Sequence, residues 1–376
     1  MRTFTITTLI FLFSLVTVSV ADNNTWTSFR DEKSDLIGFK DSNQKIKIQP
    51  RFILTVARGF NNIMAVIEPV GENKYSRYYL LKNGKKVGMD NLYMWDNSPD
   101  CESEGKIRFR DKTSDKVGFY DNEGDIAIPA EYNDALPFRN NMTMALKNAE
   151  RYCHNGIKYS EESKCEHWTW KGGQSYLINN HNEILINAFE HQRDLNWFSL
   201  KITKNKIDGD LRESFKGKNG KFYSFVNFQK DFKRWFETII LSSGDSGRFQ
   251  AHSFEEITFW ADEKQQWVAV KREPFLAKNT EILLRKIKKI KNGALSYEIF
   301  TTGLNQFIFE SDLYAGFYDS CGSSKKWQYP VFDVVISYYD KKSKKELLYQ
   351  DHFEFLKTDN GYKLISVSLK SEKFKN

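Results

Sequence analysis

Residues 29–48 read FRDEKSDLIGFKDSNQKIKI, and residues 109–128 read FRDKTSDKVGFYDNEGDIAI. At this offset of 80, ten of the twenty positions are identical: Phe29, Arg30, Asp31, Ser34, Asp35, Gly38, Phe39, Asp41, Ile46 and Ile48 match the residues 80 later. The match runs on more sparsely, with Phe52 against Tyr132, Asn61 against Asn141, Met64 against Met144 and Ala65 against Ala145. Each copy holds a short run through Gly38 or Gly118, an aromatic, a polar turn (SNQK or NEGD) and an alternating strand, Ile46-x-Ile48 or Ile126-x-Ile128. Period-two alternation around an Asn, Asp or Gly turn predicts a β-hairpin. Pro50 and Pro129 are expected to end those strands, since proline donates nothing to a ladder. A second strand is expected near 64–67 and 142–146. One such unit cannot bury an apolar face alone, so neighbouring copies must stack.

The stretch VGFYDNEGDIAIPAEYNDALPFRNNMTMAL resembles the bacterial WG-repeat family. Gly118, Phe119, Asp121, Gly124, Ile126, Ile128, Pro129, Tyr132, Phe138 and Ala145 fit that family's pattern. In the first copy Gly38, Phe39, Asp41, Ile46, Ile48, Pro50, Phe52, Phe60 and Ala65 fit it. A degenerate middle copy is placed around Lys86, Val87 and Gly88, and another at SYLINNHNEILI, 175–186. The name-giving Trp is absent: Ile37, Val87 and Val117 precede the glycines. The resemblance covers about 28–200 and implies an interaction or scaffold module without catalytic residues. Asp41 and Asp121 read as turn residues that bond their own backbone.

The chain begins MRTFTITTLIFLFSLVTVSVA. Arg2, a short apolar core, and small residues Ser19 and Ala21 predict a signal peptide over 1–21, cleaved before Asp22. The apolar core is short for a membrane span, and no later segment is apolar enough. A secreted or periplasmic location follows. The net charge of +7 over 376 residues is a mild basic bias, too diffuse for nucleic-acid binding. The expected partner is a protein or an envelope component.

Export makes disulfides plausible for the four cysteines. Cys153 and Cys165 lie in one loop-like stretch and fit a disulfide; His154 and His167 beside them offer a metal site instead, though the spacing matches no standard zinc pattern. The pairing of Cys101 and Cys321 is left open. No cofactor motif and no catalytic constellation is present.

Residues 201–221 are polar and rich in Lys and Gly, so they read as a linker or exposed hairpin. The organisation expected is therefore a signal peptide at 1–21, a WG-like β-repeat domain at 22–200, a linker at 201–221 and an α+β domain at 222–376. In the last, helical spacing predicts helices over 222–241 and 279–293, the second capped by Asn279 or Thr280 and ended by Gly293. Its basic side (Arg285, Lys286, Lys288, Lys289 and Lys291) reads as a solvated face. Alternating strands then run over 330–339, 346–356 and 362–369. Helices covering one face of a curved antiparallel sheet make an α+β domain. This order resembles the nuclear transport factor 2-like cone fold. Such a cone would hold a pocket, and alternation places Tyr349, Asp351 and Phe353 on one strand face as its candidate lining. An acid among aromatics would be desolvated and so a candidate general acid/base or ligand anchor. His352 and Glu354 fall on the opposite face, expected to meet solvent. Trp168 and Trp170, two apart, would share a strand face, as core residues or as a platform for sugar rings.

Overall fold

The computed structural model describes residues 24–376, apart from 164, 191–193, 208, 243–245, 262–263, 341–345, 371, 373 and 375–376. The predicted signal peptide lies outside the described residues.

The two matching stretches fold alike, bond for bond. Phe29 pairs with Gly38, Ile37 with Phe52 and Phe39 with Ile48. Eighty residues on, Phe109 pairs with Gly118, Val117 with Tyr132 and Phe119 with Ile128. The glycine is required because Phe109 lies across it. A Cβ at Gly118 would sit 2.8 Å from the Phe109 ring and 2.5 Å from the Ile128 carbonyl oxygen; at Gly38 the corresponding distances are 3.0 and 2.7 Å. Pro50 and Pro129 do not end their strands. They lie inside Ile46–Phe52 and Ile126–Tyr132, edge strands whose ladders carry register shifts opposite the glycine. A bulged edge needs no N–H at that point.

The turn reveals a shorter period than 80. In residues 41–45 the Asp41 N–H donates to the Lys45 carbonyl and the Gln44 N–H to the Asp41 carbonyl. The same two bonds recur in 81–85, 121–125, 179–183 and 217–221. In each turn the fourth residue has positive φ: Gln44, Gly84, Gly124, Asn182 and Gly220. Apart from a turn of the same kind at 153–157, inside the long hairpin Met142–Cys153 and Trp168–Asn179, the spacing is about 40 residues, stretched once by that hairpin. Gly88 takes the place of Ile48 and Ile128, not of Gly38, and Tyr78 takes the glycine's place. Residues 201–221 hold a fifth turn, with Arg212–Lys216 and Leu195–Thr203 both paired to Phe222–Asn227.

Adjacent residues of one strand feed adjacent cores. Tyr78 packs with Phe39, Phe52 and Phe60; its neighbour Tyr79 packs with Ile107, Phe109 and Tyr120. Phe119 packs with Tyr132, Phe138 and Ile178 in the next cluster, and Leu177 with Phe189, Trp197 and Phe225 in the one after. Each core is shared by neighbouring repeats, so stability is passed along the array by nearest neighbours.

The helix expected over 222–241 starts late. Phe222–Asn227 is a strand that buries Tyr223 and Phe225, and α1 is Phe228–Trp235. Asn227 caps it by accepting the Lys230 N–H at 3.0 Å, and a π-helical turn, Phe236–Leu241, continues it. A short apolar run fits either period, and the pairing with 195–203 decides for strand. Helix α2 is Ser246–Ala251. Helix α3 starts at Arg272, not near 279, and ends at Lys291, with Pro274 tolerated in its first turn and Gly293 at φ 71° beyond its end. Asn279 is no cap. It is buried mid-helix and donates to the Phe275 carbonyl at 3.1 Å.

Beside these helices lies a six-stranded sheet, in spatial order Gln266–Lys271, Ser253–Ala261, Gly361–Leu369, Leu347–Thr358, Val331–Tyr339 and Glu298–Thr302. Its ladders are antiparallel except between Ser253–Ala261 and Gly361–Leu369. Phe232, Phe236, Leu283 and Ile287 from the helices meet Phe332, Val334, Phe353 and Phe355 on one face. On the other face, Tyr314, Phe309 and Leu304 cover Leu356 and Ile365. No helix among the described residues is long and apolar enough to cross a membrane.

Candidate ligand-binding cleft

The residues expected to line a cone pocket lie in packed surroundings. Phe353 has no exposed surface and belongs to the core beneath the helices. Asp351 is also fully buried, and Lys286 Nζ contacts its carboxylate at 2.7 Å and the Tyr338 hydroxyl at 2.8 Å. Tyr338 donates to Asp351 at 3.0 Å and stacks on Tyr349 at 4.5 Å. Lys286 is therefore no part of a solvated helix face. The opposite face, expected to meet solvent, is half-buried. His352 Nδ1 lies 2.9 Å from Asp333, and the bond to Asp333 holds the imidazole pKa above its ordinary value. Burial, together with the Asp333 charge, pushes the Glu354 carboxyl up.

Both cysteine pairs form disulfides. Cys153–Cys165 closes the end of the long hairpin. Cys101–Cys321 joins residues 220 apart and ties the repeat array to the loop before Val331–Tyr339. That loop repeats the array's turn. Asp319 Oδ1 accepts the Cys321 and Ser323 N–H groups at 2.9 Å each, and Asp319 N–H donates to the Ser323 carbonyl. The loop docks on the first repeat, where the Arg58 and Gly59 N–H groups both donate to the Ser320 carbonyl at 2.8 Å. Asp319 lies beside both sulfurs of the bridge, but bonded sulfurs are not thiolates and make no metal ligand.

Between this loop and the repeats is a cleft of about 630 Å³, of a size that suits a small ligand. Three indoles border it from separate segments: Trp95, Trp170 and Trp327. Trp95 stands on the hairpin Met94–Trp95/Ser98–Pro99, whose turn residues Asp96 and Asn97 both have positive φ, and it is 66% exposed. Trp170 is fixed by its Nε1 donating to Asp134 at 3.1 Å. Trp327 is backed by the Arg139 guanidinium, 4.0 Å from the ring centre.

The cleft floor is a closed polar network. Arg108 is clasped by Asp100, with Nε to Oδ2 at 3.0 Å and a second contact from Nη2 to Oδ1, and Nη1 donates to the Ala135 carbonyl at 2.8 Å. The same guanidinium lies 4.0 Å over Tyr93, whose hydroxyl donates to Asp134 at 2.8 Å. This pairing outweighs burial and raises the Arg108 pKa. Arg139 differs. Its Nε is buried without a hydrogen-bond partner among the protein atoms, and burial with the nearby Arg108 charge pulls its pKa down to about 10. Burial likewise raises the Asp319 carboxyl. The arrangement offers flat apolar walls and hydrogen-bonding edges. Among the described residues bordering the cleft there is no histidine or free thiol to act as acid, base or nucleophile.

Residue-by-residue reading finds Trp170 but not Trp95, Trp327 or Arg139. The one available signal was the DSCGS turn at 319–323, which reuses the repeats' Asp-and-Gly turn far from them in sequence.

Residues 118–149 match the family described as WG containing repeat. They span the Gly118 strand, the Asp121 turn and the strand that begins at Met142. The chain matches no curated protein and no solved structure.

Proposed function

We propose that this chain is exported and acts as a non-enzymatic binding or scaffold protein, with the cleft at 93–103, 134–137, 170 and 319–327 as its ligand site. The observation that carries this reading is the Cys101–Cys321 bridge, which covalently holds one wall of the cleft against the other. A bridge at that place keeps the site formed before a ligand arrives, and preorganisation lowers the cost of binding. The two disulfides suit an oxidising compartment and so agree with export. The match of 118–149 to WG containing repeats favours binding over catalysis.

Residues 228–376 are read as an α+β unit of the nuclear transport factor 2-like cone kind, the strand at 222–227 being paired with the last repeat. Its support is the packing of helices on one face of the sheet and the antiparallel run of strands that closes the chain. The ligand is not placed at Tyr349, Asp351 and Phe353, because Lys286 and Tyr338 already occupy the Asp351 carboxylate.

A melting-temperature screen with soluble sugars, dipeptides and nucleosides tests the cleft. Any compound that raises the melting temperature of the mature protein should lose that effect in Trp95→Ala and Trp327→Ala. Stabilisation that survives both substitutions would move the site elsewhere. Mass spectrometry of the protein from the extracytoplasmic fraction should find Asp22 at its N-terminus; a retained Met1 would refute cleavage.

A further inference from the structure

We infer that the ligand is a neutral carbohydrate whose rings lie on Trp95, Trp170 and Trp327. This deepens the proposed function and rests on the cleft being the ligand site.

Trp95 is the first argument. An indole that is 66% exposed on a short two-stranded hairpin does little for the core, yet it borders the cleft. A pyranose ring presents a flat face of C–H bonds and an edge of hydroxyls. The C–H face packs on an indole, and the hydroxyls need acceptors and donors at the rim. The cleft supplies both. Asp319 spends Oδ1 on two backbone N–H groups, which leaves its second oxygen to accept. Asp134 Oδ1 already accepts from Tyr93 and from the Ala135 N–H, while Oδ2 accepts from Trp170 and can take another bond. The Ser98 and Ser175 hydroxyls among the lining residues can donate.

Charge narrows the class. Asp100, Glu102, Asp134 and Asp319 border the cleft, and the cation among its lining residues, Arg108, is clasped by Asp100. An acidic polymer would meet like charge there although the whole chain carries +7. Guanidinium groups back one face of Tyr93 and one of Trp327, and the Arg151 guanidinium lies 4.9 Å from the Trp170 ring centre. Those same stacks hold the rings in place, so the walls are rigid before a flat sugar ring docks.

The test is calorimetric titration of the mature, oxidised protein. The probes are hexamers of glucose, mannose and N-acetylglucosamine, oligogalacturonate as the acidic sugar, and a neutral dipeptide and a nucleoside as non-sugars. At least one neutral hexamer should bind, oligogalacturonate at least tenfold more weakly. Trp95→Ala, at an exposed site that should not disturb folding, should weaken the neutral hexamer at least tenfold. Trp267→Ala, on the remote six-stranded sheet, should leave it unchanged. If no neutral hexamer binds below millimolar concentration, the carbohydrate assignment is wrong. Should the dipeptide or nucleoside bind instead and depend on Trp95, the cleft stands and the sugar class falls. Hexamer binding indifferent to both Trp95→Ala and Trp327→Ala would overturn the cleft itself.

Discussion

Single residues explain the repeat more fully than its composition does. Gly118 is fixed by a ring and a carbonyl that leave no room for a methyl group. Gly118→Ala should therefore destabilise the protein by about 1–3 kcal/mol, whereas Gly316→Ala, where a Cβ meets nothing within 4 Å, should have little effect; urea unfolding of the two variants makes the comparison. The Lys286–Asp351 pair is the buried charge pair on which the helical side of the sheet rests. Lys286→Met alone leaves a buried carboxylate and should cost about 3–5 kcal/mol, much of it recovered when Asp351→Leu is added. A double-mutant cycle reads that coupling directly. Glu354 supplies a pH test. Its folded pKa is raised, so its contribution to stability is full below about pH 4.5 and is lost as pH rises through the folded value. Glu354→Gln cannot titrate, so its melting temperature relative to the parent should rise between pH 4 and pH 8. A constant difference across that range would show that Glu354 is not the group responsible.

At the scale of elements, turns and bridges set the pattern. Asp41 and Asp121 each bind two N–H groups of their own turn, the local role expected of them from sequence. Replacing either with Ala should cost about 1 kcal/mol, and the two losses should add because the turns lie in separate repeats. Cys153–Cys165 spans 12 residues and Cys101–Cys321 spans 220. In the chain-entropy model they are worth about 3 and about 5 kcal/mol. Hydrogen exchange of the Cys153→Ser/Cys165→Ser variant should quicken near 150–170 alone. The Cys101→Ser/Cys321→Ser variant should quicken it along both walls of the cleft. The elements also mark where sequence reading failed. Phe222–Asn227 is strand and not helix because it pairs both with 212–216 across the 217–221 turn and with 195–203, and the second partner lies outside the window that reads 222–241. Lys286 is buried because α3 is turned to meet a strand 65 residues on.

For the whole molecule, the consequence is coupling between the repeat array and the six-stranded sheet. The DSCGS turn brings a loop of the second half against the first repeat, and the disulfide locks it there. Reduction should split thermal unfolding, as followed by calorimetry, into two transitions that lie closer together or merge in the oxidised protein. The sequence by itself determined what is local and periodic: the repeat, the need for Gly38 and Gly118, the turn role of Asp41 and Asp121, and the final antiparallel strands. These follow from sterics and from hydrogen bonds made within a few residues. Only the tertiary structure decided the 40-residue period through its turns, the pairing of Cys101 with Cys321, the closure of Asp351 by Lys286, and the meeting of Trp95, Trp170 and Trp327 at one cleft. Those depend on which distant segments pack together, and the packing is set by burial summed over the whole chain, which leaves no mark at any one position.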